Sequence, residues 1–468
     1  MASTQHEHHD LHDTHDVHYN LDERFEFSSK IKKDVFTILG IGIVLFVIGL
    51  ILSMIGGGHH HASIENADNL VVSINGGHEV NPVQNEQGAG HGSHHGAIGW
   101  LQRLYANLWL NNVFFTGISL IGIFFFAIQY VASAGWSAGI IRVIISLSRF
   151  LPYMAVMMLG VFLLAHHDLF HWTHHYLYEK FLADGVTPNP EYDPIINGKK
   201  GFLNIPFFLF RMIVFFGIWL FFAYVFRSES AKEDLENGST VRYRRLVRFS
   251  AFFIVFFAIS SAISAWDWVM SIDTHWYSTM FGWYVFASWF VTGVALITML
   301  IIHLKEWGYL QFVNEAHLHD LGKFVFGFSI FWTYIWFSQF LLIYYANIPE
   351  ETVYFFERLS RDQYAPLFFL NIFLNFVFPF LGLMTRDSKR KMRILKIVCT
   401  IVIIGHWLDF YLMITPGTLK DAGNLGLLEI GLAMIYLGAF LYVVFQGLQK
   451  LPLIPKNHPM LEESLHHH

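Results

Sequence analysis

YSTMFGWYVFASWFVTGVALITMLIIHL, residues 277 to 304, contains no aspartate, glutamate, lysine or arginine. An uncharged apolar run of about 20 residues is long enough to cross a hydrocarbon core of about 30 Å as a helix. The run does not alternate between polar and apolar residues, as a barrel strand would, and a helix satisfies its own backbone in lipid. This stretch therefore predicts a transmembrane helix.

Nine further runs are similarly long and apolar, although six of them contain one or more charged residues. The ten predicted spans lie near residues 35–55, 108–134, 140–166, 202–226, 249–270, 277–304, 321–346, 364–384, 393–415 and 427–448. The chain is 54% hydrophobic and 14% charged, which is more apolar than one water-soluble core can bury. We therefore expect an all-α polytopic membrane protein of about ten transmembrane helices.

The distribution of lysine and arginine predicts the orientation. Most of them lie before the first span, at the start of the third span, between the fourth and fifth spans, in the segment 386–396 and after the last span. Because cytoplasmic loops are enriched in these residues, and because ten spans return the chain to its starting side, both termini are predicted to be cytoplasmic. The first run, which has no small-residue cleavage site after it, is predicted to be a retained anchor and not a signal peptide.

Composition also limits the chemistry. The formal charge of -6 is small and spread out, so it gives no indication of nucleic-acid binding. The one cysteine, Cys399, excludes an internal disulfide, a cysteine-ligated iron–sulfur cluster and CxxCH haem attachment. Segment 1–34 is predicted to be a His-rich cytoplasmic segment, 56–107 a flexible His/Gly-rich outer loop and 449–468 a cytoplasmic tail. The terminal His466, His467 and His468 are native or the remnant of a tag.

Short repeated motifs indicate two related halves. The fourth span opens with IPFFLFR and the eighth with APLFFLNIF, while the fifth ends in AWDW and the ninth carries HWLDF. Residues 108–270 and 277–415 would then form two four-helix bundles of parallel topology, flanked by the helices 35–55 and 427–448.

Polar residues inside the spans are the candidate site. A charge in the bilayer is costly, so buried ones face protein or water. The candidates for a proton or quinone path, all placed in the outer half of the membrane, are Asp267, His406, Asp409, Arg211, Glu429 and Gln339. The inner half is expected to carry mainly hydroxyls: Thr292, Thr298, Thr333 and Thr400.

Structural interpretations compete with these roles. Arg211 can simply pair with Asp267 or Asp409 to fix helix packing, and Gln339 and Asn371 can be interhelical hydrogen-bonding groups. The tryptophans of SAWDWVMSIDTHW, which are Trp266, Trp268 and Trp276, are expected to form an interfacial belt.

Histidines offer two weaker alternatives. In HHDLFHWTHH, a helix would place His167, His171 and either His174 or His175 on one face, a spacing able to bind zinc or copper. His406 with His166 or His167 is the pair available to a b-type haem. We expect no metal or cofactor bound by this chain.

Two long runs carry a resemblance to a known family. SAWDWVMSIDTHWYSTMFGWYVFASWF at 264–290 and FWTYIWFSQFLLIYYANIPEE at 331–351 resemble the F subunits (ActF) of bacterial alternative complex III, a quinol:electron acceptor oxidoreductase. The resemblance extends from GFLNIPFFLFR at 201–211 through GHWLDF at 405–410. It implies the fold of the NrfD-like, polysulfide reductase type of membrane subunit, with two four-helix bundles and flanking helices.

The resemblance also implies a setting. The subunit would lie in the bacterial inner membrane without a redox cofactor of its own, with quinol as the one ligand left open. Its partners would be a sibling NrfD-like subunit, a multihaem cytochrome c subunit, an iron–sulfur subunit and mono-haem cytochrome c subunits, with a terminal cytochrome oxidase as a further partner. The sibling is the stronger candidate for quinol oxidation. A purely structural scaffold subunit and a stand-alone secondary transporter remain the alternatives.

Overall fold

The computed structural model describes residues 20–74, 99–182, 184–235 and 239–467, with the backbone alone described over 56–74. The helices are α1 (Ser29–Ile74), α2 (Trp100–Val131), α3 (Ile141–Ser146), α4 (Leu151–Leu169), α5 (Pro194–Gly198), α6 (Ile205–Glu233), α7 (Val241–Trp268), α8 (Phe281–Glu306), α9 (Glu315–Ala346), α10 (Pro349–Leu359), α11 (Ala365–Ile372), α12 (Phe378–Gly382), α13 (Met392–Leu419), α14 (Leu427–Leu448) and α15 (Leu461–Leu465). Within these ranges there is no β-strand, only an isolated bridge between Phe181 and Pro188.

Ten helical segments are long and apolar enough to cross a membrane, which confirms the predicted all-α, multi-pass fold. Two of the ten contain more than one α-helix. The third joins 3-10 turns to α3 and α4, and the eighth joins α11 to α12 through a π-helical turn over Phe373–Val377. Such π turns are frequent at functional sites, because they shift side chains out of the regular helical register.

The helices α2 and α8 form the centre of the molecule. In each of them 89% of the residues in an apolar stretch of 18 residues are buried, against 17% in α1. Around α2 pack α4, α6 and α7, and around α8 pack α9 and α13, with α11 packed against α13. Both central helices also touch each other and α13. The arrangement brings the helices of the two predicted bundles together along one shared core.

The flanking helices α1 and α14 pack on each other through glycines. A Cβ on Gly49 would lie 2.2 Å from the backbone nitrogen of Leu428, and one on Gly431 would lie 2.3 Å from that of Phe46. Backbones approach this closely only where side chains are absent, which is the usual way membrane helices gain packing contacts. These contacts hold the most exposed span onto the protein.

The segments before α1 and after α14 lie at one end of the molecule. Leu453 N donates to Glu23 O at 2.9 Å, and Leu453 and Ile454 are buried. Arg142, itself buried, donates to the carbonyls of Pro452 and Ile454 at 2.9 and 3.2 Å. The predicted tail 449–468 is thus packed against the bundle ends, although the side of the membrane stays a prediction.

The predicted outer loop over 56–107 is too long at both ends. The helical backbone of α1 continues to Ile74, and α2 begins at Trp100. Residues 100–107 join the helix because Arg103 and Asn107 bond to α14, a tertiary contact that local sequence does not reveal. Residues 75–98, like the His-rich 1–19, lie outside the described residues.

The expected tryptophan belt is wrong for two of its three members. Trp268 is 1% exposed and stacks on Phe216, with ring centroids 5.6 Å apart. Trp276 is 5% exposed and stacks on Tyr354 at 4.1 Å. Both rings fill the protein interior because the helices around them leave gaps that only large flat groups close.

Replacing Gly49 with leucine should loosen α1 from α14, because the new side chain would overlap the backbone of Leu428. Overpacking of this kind typically costs about 1–3 kcal/mol. We expect a lower thermal unfolding temperature in mild detergent. Gly40→Leu is the matched control, since a Cβ there meets nothing within 4 Å. Equal unfolding temperatures for the two variants would show that the glycine contact does not hold α1.

Candidate functional site

The six candidate residues separate into three places. Arg211 and Asp267 form the first, on α6 and α7. Arg211 Nε lies 2.6 Å from Asp267 Oδ2, and Nη2 lies 2.8 Å from Oδ1, so the pair is bidentate. The side chains are 6% and 2% exposed. This planar two-bond geometry is the strongest that arginine and a carboxylate form.

The third nitrogen of the Arg211 guanidinium is also bonded, and two aromatic rings lie against the group. Nη1 donates to the carbonyl of Phe202 at 3.1 Å. The rings of Phe202 and Phe207 lie 4.0 and 4.2 Å from the guanidinium carbon. The interpretation of this pair as a packing element is therefore the one its contacts support.

Asp409, on α13, forms the second place and has different neighbours. Its side chain is 0% exposed. Trp332 Nε1 donates to Oδ2 at 2.9 Å, Asn371 Nδ2 donates to Oδ1 at 2.9 Å, and the Tyr284 hydroxyl donates a short bond to Oδ1. Among the described residues no lysine or arginine forms a salt bridge with it, and the basic side chain within ion-pairing distance is His406, at 3.8 Å.

His406 completes this cluster. Its Nδ1 lies 2.9 Å from the hydroxyl of Ser288 and 3.8 Å from Asp409 Oδ2. The Trp332 ring meets the imidazole edge-on at 5.3 Å. Its Nε2 is buried without a hydrogen-bond partner in the described part of the chain. At 3.8 Å the imidazole and the carboxylate are within ion-pairing range but beyond hydrogen-bonding distance, so a proton would pass between them through a bridging water or after a closer approach.

The two pairs occupy matching positions in the repeated motifs. IPFFLFR ends in Arg211, and the aligned part of APLFFLN ends in Asn371. Arg211 bonds Asp267 on the next span, and Asn371 likewise bonds Asp409 on the next span. Asp267 therefore has a charged counter-ion at this position, whereas Asp409 has only a neutral hydrogen-bond donor.

A cavity of about 20 Å³ adjoins the Asp409 cluster, which is room for about one water molecule. Tyr284 and Asn371, two of the donors to Asp409, contribute to its wall. The remaining lining residues are Phe281, Trp336, Gln339, Tyr354, Phe355, Arg358, Phe368 and Leu412. Gln339 accepts from the Ser278 hydroxyl at 2.9 Å and does not bond Asp409 directly.

Arg358 is the member of this site that sequence reasoning missed. It is 2% exposed, donates to the carbonyls of Leu412 and Met413 at 2.8 and 3.1 Å, and lies 3.2 Å from Asp273 Oδ2. It belongs to α10, which is too short to register as a span. Tyr354 and Arg358 are four residues apart, and this spacing in the sequence could have indicated that they lie on one helical face.

Beyond this site, charged contacts join the loop that contains Asp193 and Lys199 to the hairpin 273–276. We call these two segments the loop cover. Asp193 caps the N-terminus of α5 by accepting from Ile195 N and Ile196 N at 2.9 and 3.0 Å. Its other oxygen bonds His275 Nε2 closely, and Lys199 bonds the carbonyl of Thr274. The hairpin 273–276 is thus tied to the preceding loop.

Glu429 forms the third place, apart from the other two. It is 0% exposed and binds Arg103 at 2.7 and 2.8 Å and Asn107 at 3.0 Å. Asn111 and Asn112, one turn further along α2, are also fully buried. This amide-rich side of α2 was not among the sequence candidates.

Charge is also buried beyond the end of the fourth predicted span. The helix α6 continues to Glu233, past the predicted end at 226. Glu229 accepts from Arg242 at 2.9 Å, and the Tyr130 hydroxyl lies 3.4 Å from Glu233. Arg142 pairs with Asp234 at 2.7 Å. The expectation that the inner half of the membrane carries mainly hydroxyls stays a prediction.

The His-rich run does not lie on one helical face, because α4 ends at Leu169 and 3-10 turns follow. The His167 and His174 rings are 5.3 Å apart, and those of His171 and His174 are 5.8 Å apart. Burial lowers the pKa of His171 to about 4, with its histidine neighbours adding to the effect. Among the described residues no group of three side chains is placed to hold a metal ion.

Comparison with known proteins adds no family assignment. No protein-family model and no curated protein matches the chain. What the site does must therefore follow from its own contacts, together with the motifs quoted above.

Asp267→Asn should destabilise the protein, because it leaves the Arg211 charge buried without a counter-ion. Breaking a buried pair in this way typically costs about 3–5 kcal/mol. The double variant Arg211→Met/Asp267→Leu removes both charges and should recover most of the loss. Thermal unfolding in mild detergent compares the three proteins. Wild-type stability in Asp267→Asn would contradict the structural role of the pair.

The loop cover should open in acid. Partial burial alone would raise the pKa of Asp193, but bonds from Ile196 N, His275 and Ile195 N outweigh it and hold the pKa below its usual range. A depressed pKa stabilises the fold above the ordinary value of about 4 and loses that contribution as pH falls through the folded value.

We therefore expect hydrogen exchange at the backbone amides of Ile195 and Ile196 to accelerate, beyond its intrinsic pH dependence, as pH falls below about 4. Asp193→Asn should exchange rapidly already at neutral pH and show no such step. An unchanged step in the variant would mean that another group opens the cover.

Proposed function

We propose that this chain is a cofactor-free membrane subunit of a respiratory quinol:electron acceptor oxidoreductase of the alternative complex III type. In this proposal the Asp409–His406 cluster accepts protons and passes them toward the outer side of the inner membrane. The haem and iron–sulfur partners named above would carry the electrons and be anchored on this chain.

The observation that carries the proposal is the carboxylate of Asp409. It is fully buried at membrane depth and held by neutral donors, without a lysine or arginine salt bridge in the described part of the chain. A carboxylate in such surroundings can take up a proton without breaking an ion pair. Buried ionisable groups of this kind mark proton routes in membrane proteins. Asp267 lacks this freedom because Arg211 neutralises it.

The neighbours of Asp409 give the proton a way onward. Its donors Tyr284 and Asn371 border the small cavity, and Arg358 borders the same space. Arg358 in turn reaches Asp273, whose side chain is 17% exposed in the hairpin beyond the span. Because Arg358 keeps its own proton and Asp273 does not line the cavity, the proposed route needs a water beside Arg358 to connect the cavity to Asp273.

Quinol chemistry supplies the reason for such a route. Oxidation of a quinol releases two protons with its two electrons, so a base near the reacting hydroxyl is required. The resemblance of residues 264–290 and 331–351 to alternative complex III subunits supports the quinol setting. Gln339 and Arg358 are the polar groups at the cavity that could meet a quinone oxygen.

A scaffold role is the second candidate, and specific contacts favour it. In the pairs Arg211–Asp267 and Arg103–Glu429 the arginine bonds both oxygens of a buried carboxylate. They fix α6 to α7 and α2 to α14 and leave no group free for chemistry. Under this alternative Asp409 would likewise serve packing alone.

Asp409→Asn separates the two candidates, because asparagine keeps the size of the side chain and one acceptor oxygen while losing the ability to ionise. Its NH2 takes the place of an oxygen that accepts from Trp332 or from Tyr284 and Asn371, so thermal unfolding is measured beside turnover. In the purified complex we expect quinol oxidation, or proton release coupled to it, to fall by at least about tenfold at unchanged haem content. The bound is conservative, since general acid–base groups typically contribute about 100- to 10,000-fold.

Glu429→Gln is the matched control, since it neutralises an equally buried carboxylate in a closed pair. It should lower thermal stability and leave turnover per haem intact. Full turnover and coupling in an assembled Asp409→Asn complex would reject the proton role and leave the scaffold. A chain that purifies without haem-containing partners would reject the whole setting in favour of a transporter.

A further inference from the structure

A groove of about 730 Å³ opens on the surface between α8 and α9, away from the Asp409 cluster. Trp283 and Phe286 of α8 line one side, and Phe324, Phe328 and Phe331 of α9 line the other. We call this the aromatic groove. Its volume lies within the roughly 300–1,000 Å³ of small-molecule sites in proteins.

The floor of the groove is left open by a glycine. On α9 the lining residues recur at 320, 324, 327, 328 and 331, which is one continuous helical face. Gly327 lies in the middle of this face, and a Cβ built there meets nothing within 4 Å. The gap between the flanking rings is therefore real space, wide enough for a chain.

One end of the groove is polar and the other is not. Lys323 lies 2.6 Å from Asp320, and its side chain is 55% exposed, so its ammonium can bond a further anionic group. Trp136 lies beside this end. From 320 to 331 a helix rises about 16 Å, close to half of a hydrocarbon core of about 30 Å.

We infer that the aromatic groove binds a membrane phospholipid, with one acyl chain between α8 and α9 and the phosphate beside Lys323. The groove spans one leaflet, as an acyl chain does, whereas a transmembrane helix runs the full core and is about 10 Å across. Lys323, at the polar end of the groove, is the lining cation that the phosphate would bond. This inference does not depend on the quinol proposal.

The test counts lipids on the full chain, purified in mild detergent with whatever partners accompany it. Native mass spectrometry should find one phospholipid that survives detergent exchange. Gly327→Leu fills the floor of the groove and should reduce the retained phospholipid about tenfold, equivalent to about 1.4 kcal/mol. Gly217→Leu, at another exposed mid-helix glycine with nothing within 4 Å, should retain it.

Lys323→Gln removes the charge at the polar end and leaves the groove open. It should lower retention of the phospholipid, while thermal unfolding stays close to that of the wild type because the Lys323 side chain is 55% exposed and Asp320 keeps its contact with His467.

Three results would overturn the inference. Equal phospholipid retention in the two leucine variants would place the lipid elsewhere. A retained molecule without phosphate, such as an isoprenoid quinone, would reject a phospholipid as the occupant. A partner helix cross-linked from a photoreactive residue at Trp283 would show that protein fills the groove.

Discussion

Every polar group inside a hydrocarbon layer must find its hydrogen bonds within the protein, and this constraint shapes the whole molecule. It selects helices, whose backbones are self-satisfied, and it forces each buried side-chain charge to meet a partner on another helix. Arg211 with Asp267 and Arg103 with Glu429 meet it by ion pairing. Asp409 meets it by collecting hydrogen bonds from Tyr284, Trp332 and Asn371, each on a different helix.

The two ways of meeting the constraint have different chemical consequences. An ion pair fixes the charge on both partners, because protonating the carboxylate would strand the arginine. A carboxylate held by neutral groups keeps both protonation states accessible, at a cost that the surrounding donors reduce. The change from arginine to asparagine between the matching positions 211 and 371 replaces a counter-ion with a neutral donor, and the proposed proton role of Asp409 rests on this difference.

The sequence predicted the fold well and the site in part. Ten apolar runs gave ten spans, since hydropathy over about 20 residues is a local property. Asp267, Asp409 and His406 were identified because charge is rare inside such runs. Arg358 was missed because it lies in an eleven-residue helix between spans. The burial of Trp268 and Trp276 was also missed, because it depends on which helices pack together, and a single sequence does not show which helices do so.

The glycine contact between α1 and α14 has a consequence for how the protein is made. Along the chain α1 precedes α14 by eight other spans, so α1 enters the membrane well before its partner is synthesised. During that interval α1 lacks the helix against which it packs most closely. It can remain in lipid because it has the highest mean hydropathy of the ten spans. Docking of α1 then waits on the synthesis of α14.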